Sequence, residues 1–217
     1  MRDVSTPSQI HLITVAREFG SGGSDLAGAV GRRLGWTVLH DREVVRRVAA
    51  RLGAPERDVE ASDEHVATLA ERLGASLAGA FPEVVLPPSA PSVDVDRVAD
   101  AAVTVLLEAA VEPDVIVVGH GGMCLFADRG DSLHVRVVAS LEHRVAEVVR
   151  RLEMSDEAAR EEIHARDVDR RGYIRRRYGP EWDDPTLYHL VINIERVGPD
   201  SAAAMVATLV ERSRSPR

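Results

Sequence analysis

Residues 13 to 26 read ITVAREFGSGGSDL: an aliphatic run, a glycine cluster, then residues with helical spacing. Gly20, Gly22 and Gly23 would let the backbone approach a phosphate closely. N–H groups at the start of the following helix would then supply an anion site. A tight strand-to-helix turn uses the same glycines for steric reasons alone, so the position of the cluster matters. In open α/β sheets ligands settle beyond the carboxyl ends of strands, which is where this cluster falls. Against the phosphate-loop pattern GxxxxGK[ST], with Gly22 as the last glycine, Gly23 takes the place of the lysine. Arg17 takes that of the first glycine. The hydroxyl that binds magnesium in that pattern falls on Ser24; with one intervening residue the position is Asp25. The candidates for holding nucleotide phosphates are therefore Gly20, Ser21, Gly22, Gly23, Ser24 and Asp25, with Asp25 a candidate Mg²⁺ ligand.

A second concentration of chemistry is the arginine series Arg160, Arg166, Arg170, Arg171, Arg175, Arg176 and Arg177. On a helix, Arg166, Arg170, Tyr173 and Arg177 share one side. Glu157, Glu161, Glu162, Asp167 and Asp169 interleave in the first half, where a solvated, salt-bridged face is the competing reading. Arg175–Arg177 meet no carboxylate before Glu181, which favours an external anion. The Lys plus Arg total of 27 is all arginine. Codon bias in a GC-rich genome accounts for most of that, yet it excludes Schiff-base lysine and phosphate-loop lysine chemistry. Phosphoryl transfer is still open, because it needs charge neutralisation and alignment more than acid–base work. Guanidinium supplies planar bidentate donors at any working pH, and a mobile arginine helix could close over the reactants and exclude water. Arg17, Arg170 and Arg176 are the candidate catalytic cations.

Other chemistries find little support. The single cysteine, Cys124, excludes a disulfide framework and a multi-cysteine zinc site. The histidines have no HxxxH or HExxH spacing, and no GxSxG elbow surrounds a serine. The formal charge of −8 argues against a general nucleic-acid binder. No apolar run nears the roughly 20 residues of a membrane span, and Met1–Gln9 lacks a signal-peptide core, so a cytoplasmic protein is expected. Trp36 and Trp182 read as packing anchors.

These residues need a scaffold, and 217 residues allow one domain with a sizeable insertion. Five β-rich runs occur at His11–Ala16, Thr37–Leu39, Val115–Val118, Val135–Ala139 and Leu190–Ile194. Several are continuously aliphatic, the habit of parallel strands buried on both faces. Helical spacing covers Asp25–Leu34, Arg42–Leu52, Asp63–Leu77, Val95–Val111, Leu141–Leu152, Asp156–Tyr178 and Ala202–Arg212, with Ser140 and Ser155 as N-caps. The alternation predicts an α/β fold, a doubly wound parallel five-stranded sheet in three layers. The expected divisions are a core of 10–50 and 112–217, a helical insertion over about 51–110, and a lid over about 156–184. Within the insertion, Phe81–Ser92 is rich in breakers and also reads as a linker.

The REFGSGG turn after a first strand resembles the cytidylate kinase-like family, within the P-loop nucleoside monophosphate kinases. LGWTVLHDREVVRRV (34–48) resembles that family's second strand and next helix. VIVVGHGG (115–122) with HVRVVASLEHR (134–144) resembles its Gly-Arg-Gly turn and following unit. DVDRRGYIRRRYGPEWDDPTLYHLVIN (167–193) is similar to its lid and last strand. The resemblance spans all but the insertion and termini, and it implies ATP as donor with Mg²⁺ and a pyrimidine nucleoside monophosphate as acceptor. It places Asp41 and Arg46 on the acceptor, with Arg144 on a phosphate oxygen. His120, in place of the Gly-Arg turn's cation, joins Asp167 and Tyr173 on the acceptor side. Two rivals stand beside CMP or dCMP kinase activity: a nucleotide-binding regulatory protein without turnover, and a kinase of a non-nucleotide acceptor such as shikimate or a sugar.

Overall fold

The computed structural model describes residues 9–62 and 94–214. Five parallel strands form one sheet: β1 (Leu12–Arg17), β2 (Thr37–Leu39), β3 (Val115–Val118), β4 (Ser132–Val138) and β5 (Leu190–Asn193). Their order is β2-β3-β1-β4-β5. The chain builds β2 and β3 on one side of β1, then crosses to β4 and β5 on the other. The carboxyl end of β1, where the glycine cluster begins, is therefore a point of topological reversal. The doubly wound parallel sheet expected from the sequence is the fold observed.

Each aliphatic strand serves two cores. Along β1, Leu12 belongs to one buried cluster and Ile13 and Val15 to the other; along β3, Val115 and Val117 oppose Ile116 and Val118 in the same way. This is the two-residue alternation of a strand with apolar neighbours on both faces. Helices α1 (Gly23–Leu34) and α9 (Pro199–Arg214) cover one face through Leu26, Val30, Val206 and Val210. Helices α2 (Asp41–Leu52), α3 (Glu56–Ser62) and α4 (Val95–Ala109) cover the other through Val44, Val48, Val59, Val98, Val105 and Leu106. The remaining elements are α5 (Gly122–Leu125), α6 (Leu141–Leu152), the long α7 (Asp156–Tyr178), a 3₁₀ turn at Pro185–Leu187 and α8 (Ile194–Val197).

Ser140 and Ser155 cap α6 and α7, accepting from the N–H groups of His143 and Ala158. Strand β4 starts three residues earlier than the aliphatic run suggests, because Ser132 and His134 are buried within it. Helix α3 and the short α5 and α8 have no clear sequence signal. The predicted helix Asp63–Leu77 and the segment Phe81–Ser92 lie outside the described residues.

His134 is packed under α5. Its Nδ1 lies 2.8 Å from Thr14 Oγ1 and its Nε2 lies 3.2 Å from Ser132 Oγ. Burial, helped by the neighbouring His189, pushes its pKa down to about 4. Below the unfolded value of about 6.5 the unfolded chain binds a proton that the native site refuses, so stability falls as pH drops from about 6.5 towards 4. The expected loss is on the order of 3 kcal/mol. Urea titrations between pH 7 and 4 should show this decline, and His134→Gln should flatten it; an equally steep decline in the variant would refute the assignment.

Candidate functional site

The chain turns sharply after Arg17. Gly20 and Gly22 take left-handed φ values of 80° and 79°, which only glycine adopts without strain. A Cβ on Gly20 would also press against the Arg144 carbonyl at 2.9 Å, so this glycine lets the turn lie directly on α6. Ser21 ties the turn back on itself: its N–H and hydroxyl donate to the Glu18 carbonyl at 3.2 and 2.8 Å. Helix α1 then starts at Gly23, and its first helical hydrogen bond runs from Leu26 N–H to the Gly22 carbonyl. Among the described residues, no partner within the chain takes the N–H groups of Gly20, Gly22, Gly23, Ser24 or Asp25. These five donors lie at or just before the positive end of a 12-residue helix, the kind of place where an anion is stabilised.

Above this turn lies a cavity of about 260 Å³, lined by Gly20, Gly22, Gly23 and Ser24 and flanked by Arg17, Asp41, Arg151 and Arg170. Arg17 is only 5% exposed. Its guanidinium pairs with the Asp41 carboxylate, and its carbonyl accepts from Arg170 Nη1 at 3.1 Å. Asp41 does not cap α2: His40 holds the N-cap position and Asp41 is the first helical residue, its Oδ2 engaged by Arg17. Asp41 Oδ1 lies 3.6 Å from Nε2 of His120, a residue 1% exposed with left-handed φ of 51° between two further left-handed glycines. A non-glycine residue held in that region stores strain of order 1–3 kcal/mol, a device found mostly at functional sites. Tyr173 and Arg170 of α7 close the same corner, with Thr14 and the Gly119–Gly122 turn beneath.

Not every candidate converges there. Arg46 is 63% exposed and pairs with Glu43 on the outer side of α2. Asp25, 57% exposed, pairs with Arg151, and Ser24 rather than Asp25 lines the cavity. Arg176 lines a separate cavity with Asp96, Val103 and Tyr178. Arg175 and Arg177 both find carboxylates within the chain where an external anion was expected, and only that of Arg177 is distant in sequence. Glu181 pairs with Arg175 at 3.1 Å, and Asp100 of α4 pairs with Arg177 at 2.7 Å. Arg144 and Asp167 are paired at 2.6 Å beside the turn.

Sequence reasoning overlooked an ion network around the buried Arg136, beside the C-terminal half of α7. Arg136, on β4, pairs with Asp183 and donates to the Trp182 carbonyl. Its guanidinium also lies 4.4 Å from the Trp182 ring. Arg171 of α7 reaches the same Asp183 at 2.7 Å. Partial burial opposes ionisation of Asp183, yet the hydrogen bonds from Arg171 and Arg136 together outweigh it and hold its carboxyl below the usual range. Glu18 Oε2 accepts from the Ala139 N–H at 3.2 Å and lies 3.6 Å from Arg144 Nε. The available signal was Arg136 itself: a charge inside the aliphatic run VRVV must be paired when that run is buried. Trp182, 3% exposed, is the packing anchor expected. Cys124 is half-buried with its thiol pushed up to about 11, so it is a poor nucleophile at neutral pH.

A β1–glycine turn–α1 unit at the reversal point of a 2-3-1-4-5 parallel sheet defines a P-loop kinase fold. The family model described as the cytidylate kinase-like family matches residues 12–196, and the chain belongs to that family. No curated protein matches it significantly. Among solved structures it is similar to an uncharacterised protein from Eubacterium ventriosum, at TM-score 0.64 and 16% identity over 94% of this chain and 99% of that one. It is also similar to shikimate kinase from Bacteroides thetaiotaomicron, at TM-score 0.52 and 14% identity over 93% and 98% of the two chains. Shikimate kinase from Acinetobacter baumannii in complex with shikimate gives TM-score 0.50 and 13% identity over 96% and 97%. At such identities the likeness is one of fold. No described helix is long and apolar enough to cross a membrane.

Proposed function

We propose that this protein transfers the γ-phosphoryl group of ATP to a pyrimidine nucleoside monophosphate, CMP or dCMP. The observation that carries the reading is the unengaged N–H groups of Gly20, Gly22, Gly23, Ser24 and Asp25 under a cavity flanked by three arginines, Arg17, Arg151 and Arg170. Backbone donors would hold the donor phosphates, and the arginines would stabilise charge on the transferring group from the side. Arg17 also faces Asp41, so it sits between donor and acceptor, where one cation serves both. Family membership supports Asp41, His120 and Tyr173 as the acceptor's surroundings. Helix α7 acts as the lid in this reading.

The oxygen donors present fit magnesium. Ser24 and Asp25 offer a hydroxyl and a carboxylate on the first turn of α1. Mg²⁺ in phosphotransferases takes only one or two protein oxygens along with substrate phosphates. Among the described residues no cluster of three or more His, Cys, Asp or Glu side chains would hold an ion by itself, so the ion would enter with the nucleotide. Bound there, it neutralises phosphate charge; the chain's part is to present Ser24, and to release Asp25 from Arg151 if that carboxylate is used.

A coupled assay for ADP with ATP, Mg²⁺ and each of CMP, dCMP, UMP and shikimate tests the reading. Turnover is expected with CMP or dCMP. Turnover confined to shikimate would replace the acceptor. ATP-dependent thermal stabilisation without turnover on any acceptor would establish the regulatory alternative; ligand at 100 times its Kd adds about 2.7 kcal/mol.

A further inference from the structure

Phe19, two residues beyond β1, is where α7 grips the glycine turn. Its N–H donates to Asp167 Oδ1 at 2.9 Å, and its carbonyl accepts from Arg144 Nη1 at 3.3 Å. The same Arg144 nitrogen donates to Asp167 Oδ2 at 2.6 Å, which closes a ring of three residues from the turn, α6 and α7. The Phe19 ring lies 5.6 Å from the Arg170 guanidinium and 5.9 Å from that of Arg166. Asp167 is 4% exposed and, among the described residues, is not part of the lining of the three cavities named above. Both of its oxygens are already committed. A nucleotide hydroxyl would have to displace a charge-assisted hydrogen bond in a dry site.

We propose that Asp167 is a positioning residue for the donor side, holding the first limb of the glycine turn through Phe19, and not a ligand of the acceptor nucleotide. The proposal rests on the phosphoryl-transfer reading for what the turn binds. With both polar groups of Phe19 held from outside and Ser21 bonded back to Glu18, the limb from Glu18 to Ser21 is rigid before nucleotide arrives. The N–H groups beyond it are then pre-arranged for phosphate, without an ordering cost at binding. The ring also fixes the middle of α7 over the turn, so that Arg170 is delivered to the cavity by the same contact. Any lid motion pivots about Asp167 and does not lift it away.

The test separates donor from acceptor. Asp167→Asn keeps the volume and turns an amide towards Arg144; it should weaken ATP about 10-fold or more, since small misplacements of a positioned group are costly. The KM of the acceptor should stay within about twofold. Asp167→Glu, which restores the charge, should recover part of the ATP affinity. A raised acceptor KM with unchanged ATP affinity would overturn the proposal. Hydrogen exchange on the wild-type protein without nucleotide reads the clamp with no risk of misfolding: the Phe19 amide should exchange slowly, and exchange at the rate of an open loop overturns it as well. If no acceptor yields ADP, the kinase reading fails, while the ATP titration and the exchange measurement still decide this proposal.

Discussion

Arg170→Ala should lower kcat/KM for phosphoryl transfer by about 10²–10³-fold, the effect of removing one preorganised charge donor from a dry site. The reason lies in its position. Its Nη1 is held by the Arg17 carbonyl at 3.1 Å and its guanidinium lies over Phe19, so the side chain is fixed at the edge of the cavity above the glycine turn. The residue is partly exposed and takes no place in the apolar clusters, so the melting temperature should move by no more than about 4 °C, equivalent to roughly 1 kcal/mol in a chain of this size. Arg170→Lys should recover little, because an ammonium cannot reproduce the planar fork. Steady-state kinetics paired with calorimetry checks the claim. A loss of activity matched by a large fall in melting temperature would reassign Arg170 to structure, and an unchanged kcat/KM would remove it from the mechanism.

A lysine installed at Gly23, the position it holds in the usual phosphate loop, should damage this protein. A Cβ at residue 23 would collide with the Cβ of Arg17, with Arg17 Cγ at 3.0 Å and Val137 Cβ at 3.3 Å. Arg17 and Gly23 are thus complementary: the side chain that replaces the first glycine of the pattern fills the space the lysine would start from. Gly23→Lys alone should cost about 1–3 kcal/mol by overpacking, a fall of roughly 2–12 °C in melting temperature. It should also cost ATP affinity by displacing Arg17. The double variant Arg17→Gly with Gly23→Lys should recover most of the stability, because the two closest colliding atoms, Cβ and Cγ of Arg17, are gone. A double-mutant cycle measures this coupling directly. Additive losses, with no recovery in the pair, would show that the two positions do not share the space.

How much could be read beforehand varies with the range of the interaction. The strands Thr37–Leu39 and Val115–Val118 and the helices Leu141–Leu152 and Asp156–Tyr178 were legible to the residue, because hydrophobic period and capping serines are local signals. The glycine turn was legible for the same reason. Helix α3 was missed because seven residues carry too little periodicity. The arginines of α7 were legible as a group but not one by one. Asp100, which occupies Arg177, lies 77 positions away in sequence, and Asp183, which occupies Arg171, lies across the breaker segment after α7. Spacing on one helix cannot say which of its cations a distant element will neutralise. Asp41 illustrates the same point: it opens α2, yet its carboxylate goes to Arg17 at the end of β1, 24 positions earlier.

Taken alone, the order of residues determined a parallel layered sheet, a glycine turn at the end of its first strand, and a chain whose side-chain cations are guanidinium groups without lysine. Each follows from local preference or from composition. The folded chain decided which guanidiniums face the turn. It gave that place to Arg17, Arg151 and Arg170, placed Arg46 and Arg175 in exposed surface pairs, and set Arg144 against Asp167 beside Phe19. Burial is the physical reason. A charge removed from water must take the partner that the packing of helices and strands brings within about 3 Å, and that partner is chosen by topology, which sequence spacing does not record.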